Sequence, residues 1–255
     1  MTTLFHKEKL KSKLLRQLSR ARDVEGTLLF GVGDLVTLLV ARITQSVNSP
    51  RKSEHASCPA SKKIILIHGN GGGTGTDYWF PYVKREFESM DIPVIAETFP
   101  DNVEAKASVW LPHIEKLGAD EHTILIGHSS GAVAALRYAE THKLLGTVLV
   151  GVNYTDLGIE SEKISGYYDH PWKWDAIKKN QKWIILFASL DDPFIPIAEP
   201  RHIKEQLDCE YHEYADRGHF GTVDPKLGYN KPMAEFPELV EAVKGRTGGE
   251  YGKFV

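Results

Sequence analysis

From about residue 61 onward the sequence predicts an α/β fold with a central, mostly parallel sheet of about six strands flanked by helices. Three observations predict it. Short apolar runs alternate with helix-period stretches; several of those runs are rich in Ile and Val and apolar on both faces; and one run leads straight into a glycine-framed turn and a small-residue helix. Strands apolar on both faces are the mark of a sheet covered by helices on each side.

The strand-like runs, in order, are Lys63–Ile67, Pro93–Glu97, Thr123–Ile126, Thr147–Val150, Trp183–Phe187 and Glu210–Tyr214. Between or after them lie helix-period stretches at Tyr82–Met90, Ser108–Leu117, Ser130–His142, Glu199–Leu207 and Glu235–Lys244. Alternation of this kind argues for a parallel sheet covered by helices. No internal repeat interrupts it.

Upstream of residue 61 the composition changes. Residues 1–60 carry 10 Lys and Arg against 5 Asp and Glu, a net +5, which leaves 21 against 29, or −8, for residues 61–255. Leu10, Leu14 and Leu18 recur among Lys7, Lys9, Lys11, Lys13, Arg16 and Arg20, the pattern of a basic amphipathic helix. Thr27–Ile43 is mostly apolar, but it is shorter than the roughly 20 residues a membrane span needs and has Asp34 at its middle. No integral membrane span is expected; a helix packed on the domain or on a partner is. The start is basic as in a mitochondrial transit peptide, yet Glu8, Asp23 and Glu25 weigh against that reading. Ser46–His55 then reads as a polar linker. The division is thus a helical extension with its linker, 1–60, and a catalytic domain, 61–255.

The chain's net charge of −3 and 42% apolar content are ordinary for a globular protein and call for no nucleic-acid partner. The two cysteines, Cys58 and Cys209, are read as free thiols, which favours a cytoplasmic location. With no H-x-x-x-H or C-x-x-C spacing, neither a metal nor another cofactor is expected.

The chemistry resides in His122–Ala135, a strand followed by Gly127-His128-Ser129-Ser130-Gly131 and a helix of small residues. G-x-S-x-G in a strand–turn–helix context is a nucleophile elbow: the turn exposes the serine Oγ above the sheet at a helix N-terminus, and the glycines let strand and helix approach. His68-Gly69-Asn70-Gly71-Gly72-Gly73 directly follows the first strand and offers backbone N–H groups, at Asn70 and Gly71, to form an oxyanion hole with the N–H of Ser130. A phosphate loop is the alternative for such a glycine run, but the Lys-Ser/Thr ending is missing. Asp191-Asp192-Pro193 follows the fifth run and Gly218-His219-Phe220 the sixth, so serine, acid and histidine come in the order of the α/β-hydrolase fold. Ser129 is then the candidate nucleophile, His219 the general base and Asp192 the acid that orients it, with Asp191 as a loop-supporting neighbour. His128, the variable residue of the elbow, is expected to pack.

The same residues resemble a known group. Gly69–Gly73, Ser108-Val109-Trp110-Leu111-Pro112, Ile126–Ala132, Arg137–His142, Ser165-Gly166-Tyr167, Pro171-Trp172-Lys173-Trp174, Asp191–Phe194 and Gly218–Phe220 closely resemble the retinoblastoma-binding protein nine family of small serine hydrolases, over residues 63–244. The resemblance implies a compact α/β hydrolase without a large lid domain, a triad at Ser129, Asp192 and His219, and hydrolysis of small esters or amides with an aromatic preference. The family's pocket-protein motif, L-x-C-x-E, would fall at Leu117-Gly118-Ala119-Asp120-Glu121, where alanine replaces cysteine, so retinoblastoma-type binding is not expected to carry over. Residues 1–60 have no counterpart in the family pattern, and Gly221–Met233 reads as an insertion.

The expected activity is cleavage of a small carboxylic ester or amide through an acyl-enzyme intermediate. The alternatives are lactone hydrolysis by the same triad and a non-catalytic binding protein on a hydrolase scaffold. Trp79, Trp110, Trp172 and Trp174, with Tyr78, Tyr167 and Tyr168, lie on loops that open beside the nucleophile in this fold, and the four tryptophans are expected to line an apolar, aromatic acyl pocket.

Overall fold

The computed structural model describes residues 61–221, 223–224 and 228–247. The basic helix, the apolar run and the linker expected before residue 61 lie outside the described residues. Six parallel strands form the sheet in the order β2-β1-β3-β4-β5-β6: β1 (Lys63–Ile67), β2 (Val94–Ile95), β3 (Thr123–His128), β4 (Gly146–Val150), β5 (Ile184–Ser189) and β6 (Glu210–Tyr214). The sheet is wholly parallel rather than mostly so. The second strand is shorter than predicted, a two-residue edge that among the described residues pairs only with β1.

Alternation along the strands sorts the core into two layers. Ile65, Ile67, Leu125, Leu149 and Leu186 face one side, where they meet α2 (Ala107–Lys116), α3 (Ser130–Ala139), α5 (Trp174–Lys179) and α6 (Ala198–Leu207). Ile64, Leu66, Ile124, Ile126, Val148, Val150, Ile185 and Phe187 face the other, against α1 (Phe80–Glu88) and α7 (Pro237–Thr247). Each buried Leu, Ile or Phe contributes about 1.5–3 kcal/mol by leaving water. A four-residue helix, α4 (Glu160–Lys163), and an antiparallel pair, β7 (Val223–Asp224) and β8 (Tyr229–Asn230), complete the elements. Among the described residues no helix is long and apolar enough to cross a membrane.

The strand order fixes where a site can form. The chain runs from β1 outward to β2 and then returns to the other side of β1 as β3, so the loops after β1 and β3 diverge and leave a crevice at the carboxyl ends of these strands. Ile67 pairs with Gly127 at the top of that boundary, which brings His68–Gly73 alongside the elbow.

Helix α3 rises from the crevice and is buried along its whole length, in keeping with its Ser-Gly-Ala-Val-Ala-Ala start. Its backbone touches that of β1: a Cβ on Gly131 would lie 2.2 Å from the Ile67 carbonyl oxygen and 2.5 Å from that of His68. A Cβ on Gly127 would lie 2.4 Å from the Gly131 oxygen. Neither obstacle is a flexible side chain, so neither can give way. Gly131→Ala should therefore destabilise the fold by at least about 3 kcal/mol in urea unfolding, as severe overpacking does. Gly245→Ala, on α7 with open space around the new methyl, should instead gain up to about 1 kcal/mol of helix propensity.

Candidate active site

Ser129 sits between β3 and α3 with φ 54° and ψ −125°, a conformation an L residue adopts only when its surroundings enforce it. Its N–H donates to the Val150 carbonyl at 2.9 Å, and its own carbonyl accepts the Ala132 N–H at 2.8 Å, which locks the turn to β4 and to the helix. The side chain is left over the crevice. A Cβ on Gly69 would stand 3.2 Å from Ser129 Cβ, so the bare glycine backbone after β1 is what passes beside the serine.

His219 Nδ1 lies 2.7 Å from Asp192 Oδ2, both side chains being almost wholly buried. The other carboxylate oxygen of Asp192 accepts the N–H groups of Phe194, at 2.9 Å, and Ile195, at 3.0 Å. With three donors around it the carboxylate has one orientation. The neighbouring Asp191 faces elsewhere: its Oδ1 accepts Ser189 Oγ at 2.8 Å and the Gly218 N–H at 2.7 Å, and Oδ2 meets the Lys231 ammonium. Burial pushes the Asp191 pKa up, but the hydrogen bonds from Lys231, Ser189 and Gly218 outweigh it and hold the carboxyl below its usual range. Of the two adjacent aspartates, Asp192 is the one that touches the histidine.

The backbone of His219 is held from both sides. Tyr229 Oη accepts its N–H at 2.8 Å, and His128 Nε2 donates to its carbonyl at 3.0 Å. Burial and the nearby His219 ring lower the His128 pKa to about 3, so this imidazole remains a neutral Nε2–H donor. Tyr229 and Lys231 come from the segment read as an insertion; β7 and β8 fold it back so that it supports the histidine loop. Nothing in the sequence marked either residue, because the contact depends on a hairpin with two-residue strands.

The loop after β1 is pinned by His68, whose Nε2 accepts the Phe99 N–H at 2.8 Å and whose Nδ1 therefore donates to the Gly69 carbonyl at 2.8 Å. Burial lowers the His68 pKa and favours this neutral form. Gly71 was expected to donate to an oxyanion, but its N–H is already committed to the Val103 carbonyl at 3.0 Å. Two donors remain: among the described residues neither the Asn70 nor the Ser130 N–H has a protein acceptor, and both residues line the cavity.

That cavity, about 400 Å³, also takes in Ser129, His128 and His219. Leu157, Ile159, Phe194 and Ile195 form an apolar side; Asn70, Asp77, Asn153, Ser161 and Glu162 supply polar groups. The four tryptophans expected there do not line it. Trp79 and Trp110 are fully buried, donating from Nε1 to the carbonyls of Phe220 at 3.0 Å and Pro100 at 2.8 Å. Trp172 lies over the guanidinium of the buried Arg137, 3.5 Å from ring centre to Cζ, and stacks on Trp174. Large rings that satisfy their N–H groups are better core residues than pocket walls. Of the seven aromatics singled out in the sequence, only Tyr78 borders the cavity.

The family model described as serine hydrolase matches residues 64–231. The chain is 42% identical over 185 residues to the serine hydrolase RBBP9 of Rattus norvegicus, covering 71% of this chain and 94% of that protein. The solved structure of the ydeN gene product of Bacillus subtilis has the same fold, with a TM-score of 0.64 at 22% identity over 74% of this chain and all of that one. Est1E from Butyrivibrio proteoclasticus shares the fold too, with a TM-score of 0.56 and 13% identity over 75% and 90% of the two chains.

Neutral His128 makes stability depend on pH. An exposed histidine takes up a proton near pH 6.5, whereas His128 does so only near 3, so between these values the unfolded chain binds more protons and stability falls as pH falls. His128→Gln, which keeps an amide donor, should flatten that decline: the melting temperature of the variant should change less than that of the wild type between pH 6.5 and 4.5.

Proposed function

The chain belongs to the serine hydrolase family, and on that footing we propose that it cleaves small carboxylic esters or amides through an acyl-enzyme intermediate, using Ser129, His219 and Asp192 as a triad. The observation that carries this reading is the 2.7 Å contact between His219 Nδ1 and Asp192 Oδ2 on the rim of the cavity that also holds Ser129.

The residue types support each step. A carboxylate on Nδ1 selects the tautomer whose Nε2 is basic and stabilises the imidazolium formed when Nε2 takes the serine proton. Ser129 Oγ attacks the substrate carbonyl, and the oxygen that gains charge is received by the N–H groups of Asn70 and Ser130. Donors fixed in advance for that charge are worth about 10²–10³ in kcat each. The positive end of the α3 dipole adds to them. The imidazolium returns its proton to the leaving group, and water, activated by the same histidine, releases the acid from the acyl-enzyme.

The cavity lining supports small, uncharged acyl groups. Leu157, Ile159, Phe194 and Ile195 offer aliphatic and phenyl contact, while Asp77 and Glu162 face the same space and, among the described residues, no Lys or Arg lines it. A carboxylate on the acyl chain would meet like charge.

Labelling of the full chain by a fluorophosphonate probe tests the assignment, and Ser129→Ala should abolish it. Asp192→Asn should lower kcat by about 10⁴, because the wrong histidine tautomer is then held, and Asp191→Asn should cost far less. The opposite order for the two aspartates would sink the triad as assigned. Among substrates, a butyryl ester should exceed the ester of the same leaving group whose acyl chain ends in a carboxylate by at least about 10-fold in kcat/KM.

A further inference from the structure

Glu162 is a half-buried carboxylate in the cavity wall that the triad does not use. It stands on α4, a helix of four residues, yet it joins two loops. Asn70 Nδ2 donates to Glu162 Oε1 at 2.9 Å across 92 residues of chain, and Tyr168 Oη donates to Oε2 at 3.3 Å. Tyr168 Oη in turn accepts from Asn153 Nδ2 at 2.7 Å. Burial raises the Glu162 pKa, and the hydrogen bonds from Asn70 and Tyr168 work against that rise. A carboxylate held this way is costly to keep unless both oxygens are satisfied.

The attachments of the loop after β1 show what Asn70 gains. The Gly69 carbonyl is held by His68, the Gly71 N–H by the Val103 carbonyl and the Gly72 N–H by the Asn102 carbonyl. Asn102 Nδ2 also donates to the Gly73 carbonyl at 2.9 Å. Every anchor on either side of residue 70 thus belongs to the inner, β2-side wall. Residue 70 itself has one polar attachment among the described residues, the side-chain hydrogen bond to Glu162. That bond closes the cavity wall from the β4 side; the peptide whose N–H is left over is held at its Gly69 carbonyl by His68 and at its Asn70 end through this side chain.

We propose that Glu162 is a positioning residue of the hydrolytic site: through the Asn70 side chain it holds the Asn70 end of the peptide that donates to the developing oxyanion, the peptide's carbonyl end being held by His68. The proposal rests on the assignment of Ser129 as nucleophile and of the Asn70 and Ser130 N–H groups as donors. Glu162 touches no reacting atom, so its effect should fall on the transition state more than on substrate binding. An oxyanion donor displaced rather than removed should cost less than the about 10²–10³ of outright loss.

The test uses the full chain and a butyryl ester, with kcat and KM separated. Glu162→Ala should lower kcat about 10-fold with KM within about 3-fold of wild type, while Glu162→Gln, whose amide oxygen still accepts from Asn70, should stay within about 3-fold in both. Asn70→Asp sets two carboxylates against each other and should also lose about 10-fold in kcat at neutral pH. Glu162→Gln introduced into the Asn70→Asp chain restores a donor–acceptor pair with its polarity reversed and should recover most of that loss. Recovery by the second change is an outcome a merely structural role would not give. If Glu162→Gln is as damaging as Glu162→Ala, if the losses appear in KM alone, or if the double variant is no better than Asn70→Asp, the proposal fails. Should Glu162→Ala not fold, the reversed pair decides on its own. Absence of fluorophosphonate labelling in the wild type would overturn the triad and this inference together; normal labelling with no recovery overturns only the inference.

Discussion

The closeness of two backbones governs this molecule. Helix α3 can start where it does only because Gly131 presents no Cβ to the carbonyl oxygens of Ile67 and His68, and because Gly127 presents none to Gly131. That contact sets the height of α3 over β1, the left-handed turn at Ser129 and the passage of Gly69 beside the serine. Backbone strain of this kind costs about 1–3 kcal/mol and persists only where the surroundings over-determine it. Here the surroundings are a fully buried helix and a sheet apolar on both faces.

A second set of constraints places the histidine, which arrives on a loop after the edge strand β6 with no sheet around it. Asp191, Ser189 and Lys231 tie Gly218 and the segment before it to the end of β5, and Tyr229 and His128 hold the peptide groups of His219. Two adjacent aspartates consequently have different surroundings. Asp192 is enclosed by backbone N–H groups and an imidazole, and Asp191 by an ammonium, a hydroxyl and a backbone N–H. The loop after β5 must make both contacts at once, which explains an acidic pair at this position without invoking two catalytic carboxylates.

How much of this the sequence disclosed depends on the range of the interaction concerned. Ser129 was legible because its requirements are local: a strand, two glycines two residues either side, a helix of small residues. The positions of Asp192 and His219 after the fifth and sixth strands were legible because chain order and strand order coincide from β3 to β6. Gly71 was misassigned because its N–H is taken by Val103, a partner 32 residues on in an irregular loop that no periodicity announces. The tryptophans were misplaced for a related reason: an aromatic ring on a loop looks the same in sequence whether it enters the core, as Trp79 and Trp110 do, or covers a buried arginine, as Trp172 does. Glu162 carried no signal, since one turn of helix has no hydrophobic period to read. Fold was thus available from patterns of two and 3.6 residues, and side-chain partnership across loops was not.

The cavity wall and the core are therefore held by different forces. Its segments are irregular, and polar contacts join them: Asn70 to Glu162, Asn153 to Tyr168, Glu199 to the N–H groups of Tyr154 and Thr155, Trp172 Nε1 to the Tyr154 carbonyl. A single such bond contributes only about 0.5–1.5 kcal/mol net, against about 2–5 kcal/mol for cutting one core Leu or Ile back to alanine. Stability accordingly resides in the sheet and its helices, where the positions are fixed by packing, while the shape of the cavity rests on weak, directional links outside it. A substitution in the wall can then redirect an N–H or move an apolar side chain without endangering the fold beneath. The elbow, being set by backbone contact with β1, does not share that freedom, so Ser129 stays where it is while the cavity lining around it can change.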